Sequence, residues 1–182
     1  VTDEDKKKTE QYIMHAKFSK DKNYKLDETV FLKSIKLKAK SIPIDQDTIK
    51  RAAQLCQKTN QFNLRTIRYT ESEIKELKKN NDINFLVNLN DLYGDHGLVG
   101  LVCTKKLNKK FIFLEVFLMS CRVFGRHLES WMISQILTKA KKKGYEYVVA
   151  EYIPNKKNFV TKNFLPSNCF VKLDKKKYRN LK

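Results

Sequence analysis

Long hydrophobic runs are missing from this sequence of 182 residues. The most apolar stretch, Phe111–Met119, carries Glu115 in its middle and falls well short of the roughly 18 apolar residues that a membrane span needs. No signal peptide is recognisable either. The apolar content of 41% and the aromatic content of 11% are those of a chain with a packed core. We therefore expect one folded domain of ordinary size, a buried strand at the apolar stretch, and no membrane partner.

The sequence also lacks the paired spacings of disulfide frameworks and metal sites. No two cysteines form a C-x-x-C pair, and none of the three histidines has a neighbour at ligand spacing. We expect free thiols, no metal in this domain and a cytoplasmic location, because disulfides are rare in reducing compartments. The four cysteines are Cys56, Cys103, Cys121 and Cys169.

Arginine is scarce although the formal net charge is +18. Of the 38 basic residues, 32 are lysines scattered over every segment and only six are arginines. Proteins that read bases usually rely on arginine forks, so we attribute the charge to a lysine-rich composition and expect no nucleic-acid partner. The charge still favours acidic partners, such as the phosphates of a nucleotide or an acidic carrier protein.

Alternation of apolar and polar residues predicts a meander of three antiparallel strands in the middle of the chain. Helices and single strands surround the meander, which predicts an α/β fold with a mixed, mostly antiparallel sheet flanked by helices. A capping box at Thr70 and Glu73 marks the start of one helix. The predicted elements are, in chain order, a helix to about residue 19, a helix at 30–34, a strand from 35, a helix through 49–55, a strand at 64–69, a helix at 70–79, strands at 83–90, 98–104 and 110–119, a helix at 127–143, a strand at 145–153, a helix at 155–165 and a strand at 169–173.

The segment SCRVFGRHLES, residues 120–130, joins the apolar strand to a long helix. Backbone N–H groups at a helix N-terminus favour anions, Gly125 permits a close approach of the backbone, and Arg122 and Arg126 add positive charge. The segment resembles the R/Q-x-x-G-x-G/A loop of GNAT acyltransferases, which binds the pyrophosphate of coenzyme A (CoA), with the pantetheine arm between two splayed strands. His127 departs from this pattern, and an ordinary strand–helix turn is the alternative. The cofactor-binding residues that the resemblance implies are Leu118, Ser120, Arg122, Val123, Phe124, Gly125, Arg126, His127 and Asn158.

Three further segments narrow the resemblance to one family. They are QKTNQFNLRTIRYTESEI at residues 57–74, DLYGDHGLVG at 91–100 and EYIPNKKNFVTKNF at 151–164. Together with SCRVFGR, they resemble the FkbH-like family, in which a HAD-type phosphatase domain precedes a GNAT-type acyltransferase domain. The resemblance implies a helical linker at residues 1–34 and an acyltransferase domain at residues 35–182. The phosphatase signature is absent, and the chain opens on Val1 rather than Met, so we expect an excerpt of a longer protein.

The family resemblance implies thioester chemistry. Well-studied members load a glyceryl unit from 1,3-bisphosphoglycerate onto an acyl carrier protein, and relatives occur in polyketide and surface-polysaccharide pathways. The implied cofactor is CoA or the 4'-phosphopantetheine of a carrier protein, and the implied partners are an acyl carrier protein and the phosphatase domain. Two alternatives stay open, namely an acetyl-CoA-dependent N- or O-acetyltransferase acting on a sugar precursor, and a non-catalytic module that docks a carrier protein.

Cys121 is the first catalytic candidate. It stands at the end of a predicted strand, beside an arginine and near a helix N-terminus, and both features favour a thiolate nucleophile. A structural cysteine whose side chain points into the core is the alternative. Asp95 and His96 at the meander turn are candidates for a general base, and turn chemistry also explains them. Glu151, in the strand expected to splay from the CoA strand, is a further candidate base or a partner of a lysine.

A cluster of polar residues after the helix predicted through 49–55 is the candidate substrate site. With Asp91 of the meander, it suits a hydroxylated acyl chain, although local capping and turn roles are equally open. The cluster consists of Lys58, Asn60, Gln61 and Asn63. Alignment with the family pattern places Leu165 where many GNAT enzymes have a tyrosine acid. Either transfer between thiols needs no acid, or the domain is catalytically weakened.

Overall fold

The computed structural model describes residues 10, 13–14, 16–22, 27–79 and 83–174. Residues 16–22 are helical, and the start of the predicted first helix lies outside the described residues. The five labelled α-helices are α1 (Glu28–Ser34), α2 (Ile49–Lys58), α3 (Glu71–Lys79), α4 (Leu128–Lys142) and α5 (Phe164–Ser167). The six strands are β1 (Lys38–Ile42), β2 (Phe62–Asn63), β3 (Asn84–Asp91), β4 (Gly94–Lys106), β5 (Phe111–Met119) and β6 (Tyr147–Ala150).

All six strands belong to one sheet. Strands β1, β3, β4 and β5 lie side by side in that order and are antiparallel to their neighbours. The remaining edge of β5 is shared, because β6 pairs with its first half in parallel and β2 pairs with its end in antiparallel register. This arrangement confirms the predicted mixed, mostly antiparallel sheet and the meander of β3, β4 and β5.

Helices cover both faces of the sheet because the strands bury side chains on both sides. On one face, α4 packs along Leu128, Met132, Ile136 and Ala140, which are spaced by four residues and therefore share one side of the helix. Helices α2 and α3 pack on the other face around a second core. Gly100 on β4 allows α4 to approach closely, since an added Cβ would lie 3.1 Å from Met132 Sδ.

The helix starts follow local capping rules. Asp27 Oδ1 accepts hydrogen bonds from the backbone N–H groups of Thr29 and Val30 at the start of α1. At α3, the Thr70 hydroxyl accepts from Glu73 N and the Glu73 carboxylate accepts from Thr70 N. This reciprocal pair is the capping box that the sequence predicted.

The structure corrects three predicted elements. The strand expected at residues 64–69 does not form: the two-residue β2 lies just before it, and Thr66 has a left-handed backbone (φ 56°) that turns the chain. The helix expected at 155–165 is replaced by a short 3-10 turn at Phe159–Thr161 and by α5. Asn155 Oδ1 accepts from the backbone N–H groups of Lys157 and Asn158, as an N-cap does, but the turn does not continue as an α-helix because the backbone of Asn158 (φ −100°, ψ 20°) lies outside the helical range. The strand expected at 169–173 is absent from the described residues, where 171–174 have no regular structure.

A buried charge cluster links the β3–β4 hairpin to the segment before α4. The side chains of Asp91 and Arg126 are both fully buried, and Arg126 Nε donates to Asp91 Oδ2 at 2.7 Å. Nε2 of the buried His96 lies 2.9 Å from Asp91 Oδ1. The ring of Phe18, from the helical segment 16–22, lies 3.8 Å from the Arg126 guanidinium carbon. Three elements distant in sequence are therefore held together around one carboxylate.

The Asp91 carboxylate should be a major determinant of stability. We expect Asp91→Ala to reduce the free energy of unfolding by about 3–5 kcal/mol, because it leaves the buried Arg126 without a counter-charge. Urea denaturation followed by circular dichroism measures the change. Asp95→Ala is the matched control, since Asp95 is exposed and accepts one hydrogen bond, from Gly97 N. A similar small loss in both variants would contradict the structural role of the pair.

The same carboxylate predicts a pH dependence. Burial raises the pKa of Asp91, but hydrogen bonds from His96 and Arg126 lower this pKa by more than burial raises it. The pKa of Asp91 therefore lies below the ordinary 3.8. The unfolded chain therefore takes up this proton more readily than the folded chain. The contribution is present above the ordinary pKa and is lost as the pH falls through the lowered one. Urea denaturation between pH 2 and 5, roughly the range around an aspartate pKa, should show an acid loss that Asp91→Ala reduces.

Candidate functional site

The segment between β5 and α4 forms a tight loop over the end of the sheet. Ser120 N donates to Val99 O at 2.8 Å, and Cys121–Val123 form a single 3-10 turn. Gly125 (φ 79°) and His127 (φ 54°) then take left-handed conformations that turn the chain into α4. His127 is the N-cap residue of α4, and its side chain makes no capping hydrogen bond. Anion binding by the first turn of α4, which the resemblance to a phosphate-binding loop implies, stays a prediction.

The two arginines of this loop anchor it to the β3–β4 hairpin. Arg126 is the buried partner of Asp91, and within the described part of the chain its Nη1 and Nη2 make no hydrogen bond. Arg122 Nη2 donates to His96 O at 2.8 Å, and burial lowers the pKa of Arg122 to about 10. The loop therefore has a fixed shape that comes from its charged side chains as much as from its glycine.

Lysines from the N-terminal part of the chain surround the loop. Lys22 Nζ lies 3.4 Å from Gly125 O. A cavity of about 510 Å³ lies between α1 and the start of α4. It is lined by Thr29, Leu32, Lys33, Lys36, Leu37 and His127. This side of the loop is therefore electropositive.

Strands β5 and β6 separate beside the loop. Their parallel pairing runs from Phe111↔Tyr147 to Leu114↔Ala150 and stops there. Beyond Leu114 the edge of β5 faces the space between the two strands, which we call the slot. In the GNAT acyltransferases that the sequence resembles, the pantetheine arm lies between two such strands.

The chain itself occupies the slot. Strand β2 pairs with the end of β5 in the register Phe62↔Met119 and Asn63↔Leu118, and Leu64 N donates to Phe117 O at 3.2 Å. On the other side, Ile153 N donates to Leu64 O at 2.9 Å. The segment Phe62–Leu64, which we call the strap, is thus hydrogen-bonded to both walls of the slot.

Two buried amide side chains hold the strap. Asn158 Nδ2 donates to Asn63 O and to Ile153 O, both at 2.9 Å. Asn63 Nδ2 donates to Thr59 O, and its Oδ1 accepts from the backbone N–H groups of Arg65 and Thr66. The structure therefore brings Asn63 and Asn158 together, and it engages both amides in backbone contacts.

Aromatic rings pack around the strap on the α4 face of the sheet. The ring centroid of Phe62 lies 5.2 Å from that of Phe164, 5.8 Å from that of Phe124 and 6.2 Å from that of Phe117. Phe124 belongs to the loop before α4, so the strap and the loop are in contact. The ring of Phe62 fills space beside both the loop and the slot.

A polar cluster lies where β5 leaves β6. Glu115 Oε1 accepts hydrogen bonds from Arg65 Nη1 and from the Tyr69 hydroxyl, and Arg65 Nε donates to Glu151 Oε2 at 3.0 Å. Burial and the Glu115 carboxylate raise the pKa of Tyr69 well above its ordinary range. A cavity of about 490 Å³ adjoins this cluster on the α3 side of the sheet. It is lined by Tyr69, Ser72, Glu73, Glu76, Leu77, Lys105 and Glu115.

Sequence reasoning missed Arg65, Tyr69 and Glu115. A signal for one of them was present, because Glu115 is the single charged residue in the most apolar stretch of the chain. A buried carboxylate in such a strand requires partners. Its partners, however, come from a loop about 50 positions away, and no local pattern identifies them.

The predicted catalytic residues lie in different environments. Cys121 is exposed in the 3-10 turn. Asp95 is exposed at the hairpin, whereas His96 is buried against Asp91. Glu151, one residue beyond β6, is engaged by Arg65.

The predicted binding residues are also divided. Leu118 and Val123 are buried in the two cores. Lys58 and Gln61 are exposed, and Asn60 Oδ1 accepts from Arg68 Nη2 at 2.6 Å. Leu165 packs against the core of the α4 face.

In the described residues no three histidine, cysteine or acidic side chains group as a metal site would require, and no helix is long and apolar enough for a membrane span.

Comparison with solved structures identifies the fold. The chain superposes on Ard1 from Thermoplasma volcanium with a TM-score of 0.56 and 13% identity, covering 76% of this chain and 84% of that one. An aminoglycoside antibiotic 6'-N-acetyltransferase from Acinetobacter haemolyticus superposes with a TM-score of 0.53 and 15% identity, covering 76% of this chain and 93% of that one. A CoA complex of another aminoglycoside N-acetyltransferase superposes with a TM-score of 0.52 and 10% identity, covering 76% of this chain and 91% of that one. The chain has the GNAT acetyltransferase fold. No family profile and no curated protein matches its sequence.

The four cysteines should differ sharply in reactivity. Burial raises the pKa of Cys56 to about 11 and also raises that of Cys103, whereas Cys121 and Cys169 are exposed. We expect iodoacetamide at about pH 8, below an ordinary thiol pKa, to alkylate the exposed pair and leave the buried pair unmodified. Peptide mass spectrometry identifies the labelled residues, with urea-unfolded protein as the control in which all four react. Modification of Cys56 or Cys103 in the folded protein would contradict the structure.

Proposed function

We propose that the chain is an acyltransferase that uses a thioester of CoA or of 4'-phosphopantetheine. In this proposal the phosphates of the donor bind at the loop before α4, and its thioester lies in the slot between β5 and β6. The supporting observation is the position of the loop: a left-handed Gly125 and an uncapped helix N-terminus follow the strand whose edge forms one wall of the slot. In the same fold, a solved aminoglycoside N-acetyltransferase holds CoA.

The chemistry assigned to individual residues is also part of this proposal. In covalent transfer, the thioester of the donor would reach the loop itself, where the exposed Cys121 would attack its carbonyl and carry the acyl group as a new thioester, releasing the thiol of the donor. In direct transfer, with the phosphates on the loop and the thioester in the slot, Glu115 at the point where β5 and β6 separate would accept the proton of the incoming acceptor, because both of its side-chain hydrogen bonds in the described residues end on Oε1. The Oε2 atom is then left for the acceptor.

The sequence resemblance extends the proposal to a pathway and to partners. An acyl carrier protein would present the thioester, and a HAD-type phosphatase domain would precede this domain. The acyl group, which is a glyceryl unit in well-studied members of the family that the sequence resembles, would serve polyketide or surface-polysaccharide biosynthesis. A net charge of +18 supports an acidic carrier as the partner. Four free cysteines support the cytoplasm as the compartment.

One observation favours a second function. The strap occupies the slot and is hydrogen-bonded on both sides, which supports a non-catalytic module that docks a carrier protein without receiving its thioester. The acetyl-CoA-dependent N- or O-acetyltransferase differs from the main proposal only in its acceptor. The fold neighbours that act on aminoglycosides favour it as the enzymatic alternative.

Donor binding is the first test. We expect acetyl-CoA to bind at least about 10-fold more tightly than acetyl-pantetheine, which lacks the nucleotide, because a single charge-assisted hydrogen bond to a phosphate contributes about 1.5–3 kcal/mol. Isothermal titration calorimetry measures both affinities at the same ionic strength. Equal affinities would remove the loop from the proposal, and no binding of either compound would favour the docking module.

Covalent transfer is tested by intact-protein mass after incubation with acetyl-CoA or with an acetylated carrier protein. We expect an adduct of one acetyl group that hydroxylamine releases and that Cys121→Ala abolishes. Cys169→Ala is the matched control, since Cys169 is the other exposed thiol. An adduct that survives Cys121→Ala would eliminate this nucleophile, whereas turnover without an adduct would indicate direct transfer to the acceptor.

A further inference from the structure

Two segments would pair with the same edge at the end of β5. One is the strap, whose backbone bonds to Phe117 and pairs with Leu118 and Met119. The other is the donor arm of the proposed function, on which this inference rests, because that arm would lie along the same edge. An edge amide or carbonyl of a strand bonds to one partner strand at a time, so both cannot be satisfied together.

We propose that the strap is a gate: it closes the thioester slot in the free protein and leaves when the donor binds. The gate accounts for the filled slot in a chain that otherwise keeps the phosphate loop and the diverging strands of a thioester site. It also assigns a function to Phe62, whose ring packs against Phe124 of the loop. Entry of the donor then requires movement at both the slot and the loop.

The strap has the construction of a segment that can detach. Strand β2 is only two residues long. The strap is flanked by two bends, since residue 61 is a bend and Thr66 takes a left-handed backbone with φ 56°. A short paired segment between two turns can leave while the strands on either side stay folded, and its departure exposes the buried side chains of Phe62 and Leu64. The meander and β6 remain paired with β5 when it does.

Asn158 acts as the latch of the gate. Its Nδ2 donates to the strap at Asn63 O and to the opposite wall at Ile153 O. Its Oδ1 accepts from Asn155 N at 2.8 Å and so holds its own turn. Asn158→Asp removes the donor and keeps the acceptor, which should open the gate with little damage to that turn.

Hydrogen exchange on the unmodified chain is the first experiment. In the free protein, the amide of Leu64 should be protected by its bond to Phe117 O. We expect saturating acetyl-CoA to abolish this protection in the peptide that covers residues 60–67, while peptides of β3 and β4 stay protected. Unchanged or increased protection of residues 60–67 in the acetyl-CoA complex would overturn the gate.

A reversible lock is the second experiment. Asn63 and Leu118 face each other at a non-hydrogen-bonded position, since the neighbouring pair Leu64 and Phe117 is hydrogen-bonded, and such positions bring Cβ atoms close enough for a disulfide. We introduce Asn63→Cys with Leu118→Cys in a chain that also carries Cys121→Ser and Cys169→Ser, so that no other exposed thiol competes. Oxidation should abolish acetyl-CoA binding measured by calorimetry, and reduction should restore it. The single Cys variants control for the lost side chains.

Asn158→Asp tests the gate in the opposite direction from the disulfide, because it should open the gate. It also separates two roles of Asn158. If Asn158 holds the gate, Asn158→Asp binds acetyl-CoA more tightly than the wild type, whereas a residue that contacts the cofactor would lose affinity. Asn168→Asp is the matched control, because Asn168 donates to Phe164 O and does not touch the strap. Thermal denaturation confirms that both variants fold.

The outcomes of these experiments distinguish the gate from the proposed function on which it rests. Binding that is equal in the oxidised and reduced lock overturns the gate and leaves the thioester donor in place. Absence of acetyl-CoA binding in every form, including Asn158→Asp and the reduced lock, overturns the proposed donor and the gate with it. Loss on oxidation with recovery on reduction supports both.

Discussion

The obligation to pair the backbone along the edge of β5 shapes this molecule more than any single side chain. A buried strand edge cannot leave its N–H and C=O groups without partners, because each unmet group costs about as much as a lost hydrogen bond. Strand β6 provides partners only up to Leu114, and the strap provides them again from Phe117. Whatever lies between β5 and the segment after β6 must therefore offer main-chain-like donors and acceptors. The strap meets this requirement within the chain, and a pantetheine arm with its two amides meets it from outside.

The loop before α4 is subject to a different constraint, namely the cost of burying charge. Arg126 sits in the loop with both ends of its contact to Asp91 fully buried, and Phe18 covers its guanidinium. The pair fixes the backbone of the loop relative to the hairpin before any ligand arrives. At the phosphate site proposed for this loop, such order would favour binding, because the loop need not be ordered when the ligand binds. The same pair connects the loop to the helical segment 16–22 through the ring of Phe18, so the two segments share one anchor.

Local chemistry explains which features the sequence could predict. The meander follows from alternation, α4 from apolar residues spaced by four, and the start of α3 from the reciprocal bonds of Thr70 and Glu73. The loop before α4 could be located because strand, glycine and helix are contiguous, and its role as a phosphate site stays a prediction. Each of these signals lies within about one turn or one hairpin of sequence. The same reasoning fails for the helix expected at 155–165, where the backbone of Asn158 leaves the helical range and its side chain bonds to Asn63 O and Ile153 O.

The features that escaped prediction depend on distant partners. The two residues of β2 carry no periodic pattern, and their partners on β5 lie more than 50 positions along the chain. Asn63 is predicted to contact the substrate and Asn158 the cofactor, but no local pattern indicates the bond that joins them across 95 positions. Glu115 likewise is a lone charge in an apolar run until Arg65 reaches it from 50 positions away. Such contacts depend on the topology of the fold and cannot be predicted from composition.

The filled slot changes how a weak affinity for CoA should be understood. When only a fraction of the molecules has an open slot, the apparent dissociation constant is the intrinsic one divided by that fraction. An enzyme with a closed gate and a docking module without a cofactor site can then give similar, poor binding in a single titration. They differ in how the affinity responds when the contact between Asn158 and the strap is weakened. In the enzyme the open fraction rises and the apparent affinity rises in proportion, up to the intrinsic limit. The docking module has no cofactor site behind the strap. Opening the strap therefore exposes unpaired backbone and the ring of Phe62 without any gain in affinity. The reciprocal effect also holds, because a ligand that binds only the open form must loosen the strap by the same free energy that the strap subtracts from its binding.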